Sequence, residues 1–217
     1  MSDEPADNSQ VDLVGQIIDQ KYKVLALLGR GGMGAVYLAH HLTLDKDVAL
    51  KTFATTSLPD ETKQRFKREA RPLGKLQHKN IVEVFDFGIA SGGLPYYTME
   101  HLDGESVAER IARKGPLDTN EAIYVFSELC HGLSFCHKNG VVHRDIKPAN
   151  IFLKLQSSTS DAIVGVKLVD FGIAALADTA VGEIQKLTAA GTVFGSPLYM
   201  SPEQSMGSKV DYRSDIY

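Results

Sequence analysis

Hydrophobic and polar positions along this chain change period more than once. Tyr22–Leu28 is a short apolar run rich in β-formers, and Gly29 opens a punctuated turn. After a cluster of glycines comes a second run, Tyr37-Leu38-Ala39, and Val48-Ala49-Leu50-Lys51 makes a third. Runs this short, separated by turn residues such as Thr43-Leu44-Asp45-Lys46-Asp47, predict strand, glycine turn, strand, strand. Between 60 and 77 the pattern turns helical. Asp60 is an N-cap, and Phe66, Ala70, Leu73 and Leu76 keep helical spacing. Pro72 falls inside, where it removes the bond from its own nitrogen to the Arg68 carbonyl and predicts a kink.

Ile81–Phe87 and Tyr96–Glu100 read as two strands around Ser91-Gly92-Gly93, and Asp103-Gly104 then breaks the chain. The longest helix runs from Asp118 or Thr119 to Asn139. Ala122, Val125, Phe126, Leu129, Leu133 and Cys136 form its apolar stripe, and Asn139-Gly140 ends it. Two further strands, Ile151–Leu155 and Val164–Val169, flank a polar surface insertion, Gln156–Asp161. Asp170-Phe171-Gly172 follows, then about thirty residues rich in Ala, Thr and Gly without a clear period. The shift from strand-rich to helix-led composition near residue 102 predicts a lobe boundary there.

Composition narrows the class. Of 217 residues, 43% are hydrophobic and 23% charged, the balance of a soluble globular protein with a sizeable core. The net charge of −4 is uneven: residues 1–20 hold five acids and no base, which leaves 22 acids against 23 bases in the rest. Residues 1–15, acidic and polar with Pro5, are expected to be a disordered leader before a domain at 16–217. No basic surplus points to nucleic acid as the main partner. No run reaches a membrane span and no signal peptide opens the chain, so membrane contact within this segment is not expected; an anchor beyond Tyr217 stays open. Cys130 and Cys136 point in different directions on the predicted helix. They are read as small core residues in a reducing, cytoplasmic setting.

Chemistry concentrates in His143-Arg144-Asp145-Ile146-Lys147-Pro148-Ala149-Asn150. Asp145 can accept or orient a hydroxyl proton. Lys147 follows two residues on, as an extended loop would place it to serve the same site. Asn150 offers a neutral oxygen to a hard cation such as Mg²⁺, and Pro148 excludes a helix interior between them. Upstream, Gly29-x-Gly31-Gly32-x-Gly34 is weak on its own, since it also marks dinucleotide-binding units. Those need a helix directly after the glycines, whereas Val36-Tyr37-Leu38 and the turn beyond it favour a hairpin whose backbone N–H groups can close over phosphates.

The order of glycine hairpin, strand lysine, helix glutamate, His-Arg-Asp loop and Asp-Phe-Gly resembles the protein kinases over roughly residues 20–217, with wording similar to the bacterial eukaryotic-like serine/threonine kinases. The resemblance implies an α+β, bilobal fold: an antiparallel β-rich N-lobe (about 20–101) with one regulatory helix, and a mainly helical C-lobe (about 102–217), incomplete at its C-terminus. It implies ATP and Mg²⁺ as cofactors and proteins as substrates, with a kinase–kinase dimer as one arrangement for phosphorylation in trans. By the same resemblance Gly29, Gly31 and Gly34 cover the phosphates, and Leu28, Arg30 and Gly32 beside them belong to the cofactor-binding set. Lys51 contacts the α- and β-phosphates and pairs with Glu69. Val36 and Ala49 sandwich the adenine, Met99 is the gatekeeper, and backbone groups of Glu100 and Leu102 hold the adenine edge. Asp145 orients the substrate hydroxyl, Lys147 steadies the transferred group, and Asn150 and Asp170 hold Mg²⁺.

Lys147 at its position resembles serine/threonine rather than tyrosine kinases. Gly195 to Glu203 looks like the segment that receives the substrate strand, with Ser201 where the family commonly has Ala. Arg144 implies regulation by activation-segment phosphorylation, with Thr192 and Thr188 as phosphosites and Arg65 as a second base; Ala175 stands where many relatives place another. Arg213–Tyr217 resembles the start of the central C-lobe helix, whose Asp215 bonds the catalytic-loop backbone. The chain alone is therefore expected to expose apolar C-lobe surface and to be poorly stable or inactive. A nucleotide-binding or scaffolding module without transfer activity is the second reading, and a dinucleotide-dependent oxidoreductase the third.

Overall fold

The computed structural model describes residues 12–31, 34–53, 72–157, 160–171 and 197–217. They fall into two units, one within Met1–Leu58 and Phe87–Thr98, the other within Pro59–Asp86 and Met99–Tyr217. The expected single boundary near 102 is thus replaced by a division in which the segment up to Asp86 sides with the second unit. Hydrogen bonds explain this: Val82 N donates to Leu168 O (3.0 Å) and Leu168 N to Asn80 O (2.9 Å).

The first unit is built on a sheet of β1 (Ile17–Ile18), β2 (Tyr22–Gly31), β3 (Gly34–His41), β4 (Lys46–Phe53), β5 (Val84–Ile89) and β6 (Pro95–Glu100), order β1-β2-β3-β4-β6-β5, of which the start of β5 up to Asp86 and the end of β6 from Met99 count with the second unit. β1 to β4 pair antiparallel. Alternation along each strand sends Tyr22, Val24, Ala35, Tyr37, Ala39, Val48 and Leu50 to one face, where they form the core with Leu13, Ile18, Ala90 and Tyr96. The glycine turn starts later than expected. β2 continues through Gly31, with Gly29 opposite Val36, Arg30 opposite Ala35 and Gly31 opposite Gly34. Extended glycines can still fill a ladder. No helix follows them, which removes the dinucleotide-binding reading.

The expected leader is shorter at its far end. Leu13 is buried in the core, Gly15 N donates to Val24 O and Val24 N to Gln16 O (both 2.9 Å), and the Tyr96 hydroxyl donates to Asp19 at 2.6 Å. Residues 12–15 are therefore part of the fold; those before them lie outside the described residues.

In the second unit, the expected helix at 60–77 lies outside the described residues up to 71. Its last part is not α-helical: Pro72 opens a 3-10 turn, Leu73–Lys75, with φ −60° and ψ −34°. Pro72 stands at the start of that turn, where a missing N–H costs nothing. Leu73 and Leu76 are buried.

Asp103-Gly104 does not break the chain. Gly104 opens β7 (Gly104–Ser106), paired with Lys154, at φ +147° with the Leu153 carbonyl 2.0 Å from where a Cβ would stand. An unforeseen helix follows, α1 (Val107–Lys114), started by a capping box. The Ser106 hydroxyl accepts from Glu109 N (3.2 Å), and the Glu109 carboxylate accepts from Ser106 N (2.7 Å).

The long helix stands as read, α2 (Thr119–Lys138), with the Asp118 carboxylate capping Asn120 N and Glu121 N. Its buried line is Val125, Leu129, Gly132, Leu133 and Cys136; Phe126, expected in the stripe, is 57% exposed. Cys130 is exposed as well, against the expectation of a core residue, while burial pushes the Cys136 thiol up to about 12.

β8 (Ile151–Leu155) and β9 (Ile163–Leu168) complete a sheet of order β7-β8-β9, against which α2 packs. The polar insertion between them is anchored at its end. Asp161 accepts from Arg113 (2.7 Å) and from the buried Arg110 (3.4 Å), which also reaches Glu105 and Glu121. A short helix, α3 (Pro202–Ser205), and a 3-10 turn at Tyr212–Asp215 close the unit. Among the described residues no helix is long and apolar enough to cross a membrane.

Candidate active site

The His143–Asn150 loop is held by its backbone before its side chains act. Arg144 sits at φ +69° and Asp170 at φ +58°, both in the left-handed region that non-glycine residues avoid. What over-determines the first is Asp215. Its buried carboxylate accepts from His143 N (2.8 Å), Arg144 N (2.7 Å) and the His137 ring (2.7 Å). The resemblance implied the backbone contacts; the His137 contact was not foreseen. On the other side of Arg144, the Gln204 amide donates to the Arg144 carbonyl (2.7 Å) while its oxygen accepts from Ser201 N (3.1 Å). One side chain thus caps α3 and holds the loop.

His143 is fully buried and neutral. Its Nε2–H donates to the Val169 carbonyl (3.0 Å) and its Nδ1 accepts from Asp145 N (3.2 Å), which sets the tautomer. Burial pushes its pKa below the ordinary value. The ring lies 4.7 Å from that of Phe171, which is itself buried.

On this frame the candidate catalytic groups meet. Lys147 Nζ donates to Asp145 Oδ2 (2.8 Å), and Asn150 Nδ2 donates to the same oxygen (2.9 Å) and to the Asp145 carbonyl (2.8 Å). Asn150 is buried at the end of a 3-10 turn, Pro148–Asn150, entered from an extended Lys147. Its amide nitrogen is spent on Asp145, which decides which end of the amide carries the oxygen. The Asn150 carbonyl accepts from Val169 N (2.9 Å), the residue before Asp170. Asn150 and Asp170 thus stand at the joined ends of β8 and β9, and an amide oxygen and a carboxylate are donor types that would suit a hard cation such as Mg²⁺.

The nucleotide candidates divide between the units. In the first, Gly29, Val36 and Lys51 stand opposite one another across β2, β3 and β4, and Leu38 stands opposite Ala49. By alternation Val36, Ala49 and Lys51 share the sheet face turned away from the core. Leu28 and Arg30 are exposed neighbours of Gly29. In the second unit Met99 is buried, and Glu100 and Leu102 are half-buried. Gly32, Arg65, Glu69, Gly172, Ala175, Thr188, Thr192, Gly195 and Ser196 lie outside the described residues.

Three residues that motif reading passed over complete the site: His137, Gln204 and Lys167. Lys167 donates to the Ile81 carbonyl (3.1 Å) and to the Glu100 carboxylate. Glu203 also has a partner inside the chain. The Ser214 hydroxyl donates to it and holds its carboxyl below the usual range.

Against known proteins, the model of the protein kinase domain matches residues 22–217. The chain is 43% identical over 207 residues to the serine/threonine-protein kinase pkn3 of Myxococcus xanthus, covering 95% of this chain and 37% of that protein. It is 40% identical over 205 residues to the serine/threonine-protein kinase PknB of Mycobacterium tuberculosis, covering 92% and 31%. The chain therefore spans about a third of the length of these curated relatives. Among solved structures, it superposes on the kinase domain of Mycobacterium tuberculosis PknI with a TM-score of 0.72 at 29% identity, over 95% of this chain and 72% of that one.

Proposed function

The chain belongs to the protein kinase domain family, and on that premise we propose that it is a serine/threonine protein kinase that moves the γ-phosphoryl group of ATP to Ser and Thr hydroxyls of proteins. The observation that carries this reading is the Asp145 carboxylate, held by Lys147 and Asn150 on a loop that Asp215 clamps. Phosphoryl transfer asks little covalent chemistry of a protein; it asks for alignment and for charge neutralisation. Asp145 aligns the attacking hydroxyl and takes its proton as the bond to the γ-phosphorus forms and the bond to the β,γ-bridging oxygen breaks, releasing ADP. Lys147 lies against Asp145 and supplies positive charge to the transferred group. Lys51 does the same for the α- and β-phosphates, steadied by Glu69.

The glycine hairpin from Leu28 to Gly34 covers the phosphates, Val36 and Ala49 flank the adenine, Met99 lies behind it, and the backbone at Glu100 and Leu102 takes its edge. Mg²⁺ held by Asn150 and Asp170 would neutralise the phosphate oxygens. Thr188 and Thr192 are the sites at which phosphorylation, in trans between two copies, would bring a charge to Arg144. A cytoplasmic setting, with ATP and reduced thiols, suits the free Cys130 and Cys136.

The test is phosphate incorporation from labelled Mg·ATP by the protein beside its Asp145→Asn and Lys51→Met variants. Removing a group that acts in the transition state is expected to lower the rate on the order of a hundredfold or more in each. Equal incorporation by all three would sink the enzyme reading.

A further inference from the structure

Lys167 belongs to no motif, yet its ammonium is more firmly placed than a typical strand lysine. It lies on β9, three residues before Asp170, and its side chain is only 12% exposed. It donates to the Ile81 carbonyl at 3.1 Å and to the Glu100 carboxylate, which is 22% exposed. The same carboxylate oxygen accepts from Glu83 N (2.9 Å), and Glu100 N donates back to Glu83 O (2.9 Å). Glu100 is thus gripped twice, by main chain and by side chain. Both grips run to a segment that β9 itself fastens through Leu168.

We propose that Lys167 is a positioning residue for the adenine-binding backbone at Glu100, and that the Lys167–Glu100 pair sets the affinity for ATP; this rests on the kinase reading above. The physical reason is one of reference points. The backbone that takes the edge of the base and the strand that delivers Asp170 are joined directly by this ion pair, and indirectly through the backbone at Glu83 and Val82. Base and metal ligand are therefore registered to the same strand. Ordering a long lysine side chain has a substantial entropic cost, and an exposed pair would return little of it. A mostly buried ammonium with two acceptors holds its partner far more tightly. Without Lys167, Glu100 keeps the Glu83 N–H but loses its charge partner. Its carboxylate is then drawn toward water and takes the adjoining backbone with it.

The experiment compares the unaltered protein with Lys167→Met, which keeps the apolar stem, and Lys167→Arg, which keeps the charge. Affinity is read with a fluorescent ATP analogue and Mg²⁺, and KM for ATP, kcat and thermal midpoint are measured beside it. Losing a hydrogen bond to a charged group predicts a rise in Kd and KM for ATP on the order of tenfold in Lys167→Met. The expectation includes kcat within about twofold and partial recovery in Lys167→Arg. An unchanged ATP affinity with a lowered thermal midpoint makes the pair merely structural and overturns the inference. Should Lys167→Met not fold, Glu100→Gln carries the test, since it keeps an oxygen for the Glu83 N–H and removes only the charge. Unchanged ATP affinity there overturns the inference equally. An unaltered protein that binds no ATP analogue would instead refute the kinase reading itself.

Discussion

Gly34 has no room for a side chain. At φ +139° a Cβ would stand 1.9 Å from the Thr52 carbonyl oxygen, in backbone that cannot swing away. Gly31, directly opposite it in the hairpin, and Gly29, two positions before Gly31 on the same strand, have nothing within 4 Å of a Cβ. One motif therefore holds two kinds of glycine, one that the fold requires at Gly34 and two with open space around them, where the proposed function puts the phosphates. Gly34→Ala should lower unfolding stability by at least about 2 kcal/mol. Gly29→Ala and Gly31→Ala should stay within about 1 kcal/mol of the parent yet weaken ATP binding. Denaturant titration beside nucleotide titration separates the two classes, and a uniform loss of stability across all three would contradict this division. The spacing of the glycines was legible in the sequence; their different duties were not, because these depend on how closely β4 approaches.

At the scale of elements, α2 was legible because every level agreed: an apolar period, Asp118 to start it and Asn139-Gly140 to end it. Its face was misread at Phe126 because Gly132 takes part of the buried line. The Asn80 carbonyl comes within 3.0 Å of where a Cβ at Gly132 would be, so this side of the helix needs a residue without one. α1 was hidden by its charges, although Ser106-Val107-Ala108-Glu109 carries the capping-box signature. Its Arg110 is buried only because Glu105, Glu121 and Asp161 surround it.

The seat of α2 also carries a pH dependence. Lys79 first, then the Asn80 amide, hold the Glu128 carboxyl at about 2, below its ordinary 4.5. A carboxyl whose pKa is lower folded than unfolded stabilises above the unfolded value, and that contribution is lost as pH falls from 4.5 toward 2. Lys79 is largely exposed, so the contribution is on the order of 1 kcal/mol. Thermal midpoints of Glu128→Gln should therefore fall less between pH 5 and pH 3 (~2 units) than those of the parent; parallel curves would remove Glu128 from the account.

For the molecule as a whole, the order of motifs was enough to name a family, and the described loop shows why. Asp145, Lys147 and Asn150 are neighbours in sequence and meet within one turn. The contacts that brace this loop come from far away, Gln204 reaching Arg144 across 60 positions and Asp215 reaching His143 across 72, and so does the one at Glu100, which Lys167 reaches across 67. No local period announces such partners, so Gln204 and Lys167 became visible only in three dimensions, and Asp215 was found through likeness to relatives. That last contact bears on how the protein is made. The left-handed turn at Arg144 rests on a carboxylate translated some 70 codons later, which at about 5–20 residues per second is a wait of roughly 4–14 seconds. During that interval the nascent chain carries Asp145, Lys147 and Asn150 without the brace that Asp215 gives their loop. Ribosome-stalled chains halted shortly before residue 215 should be cut by protease near Arg144, and chains with residue 215 clear of the exit tunnel should resist. Birth order thus works as a safety catch: the loop at Asp145 gains its clamp only once residue 215 has been made.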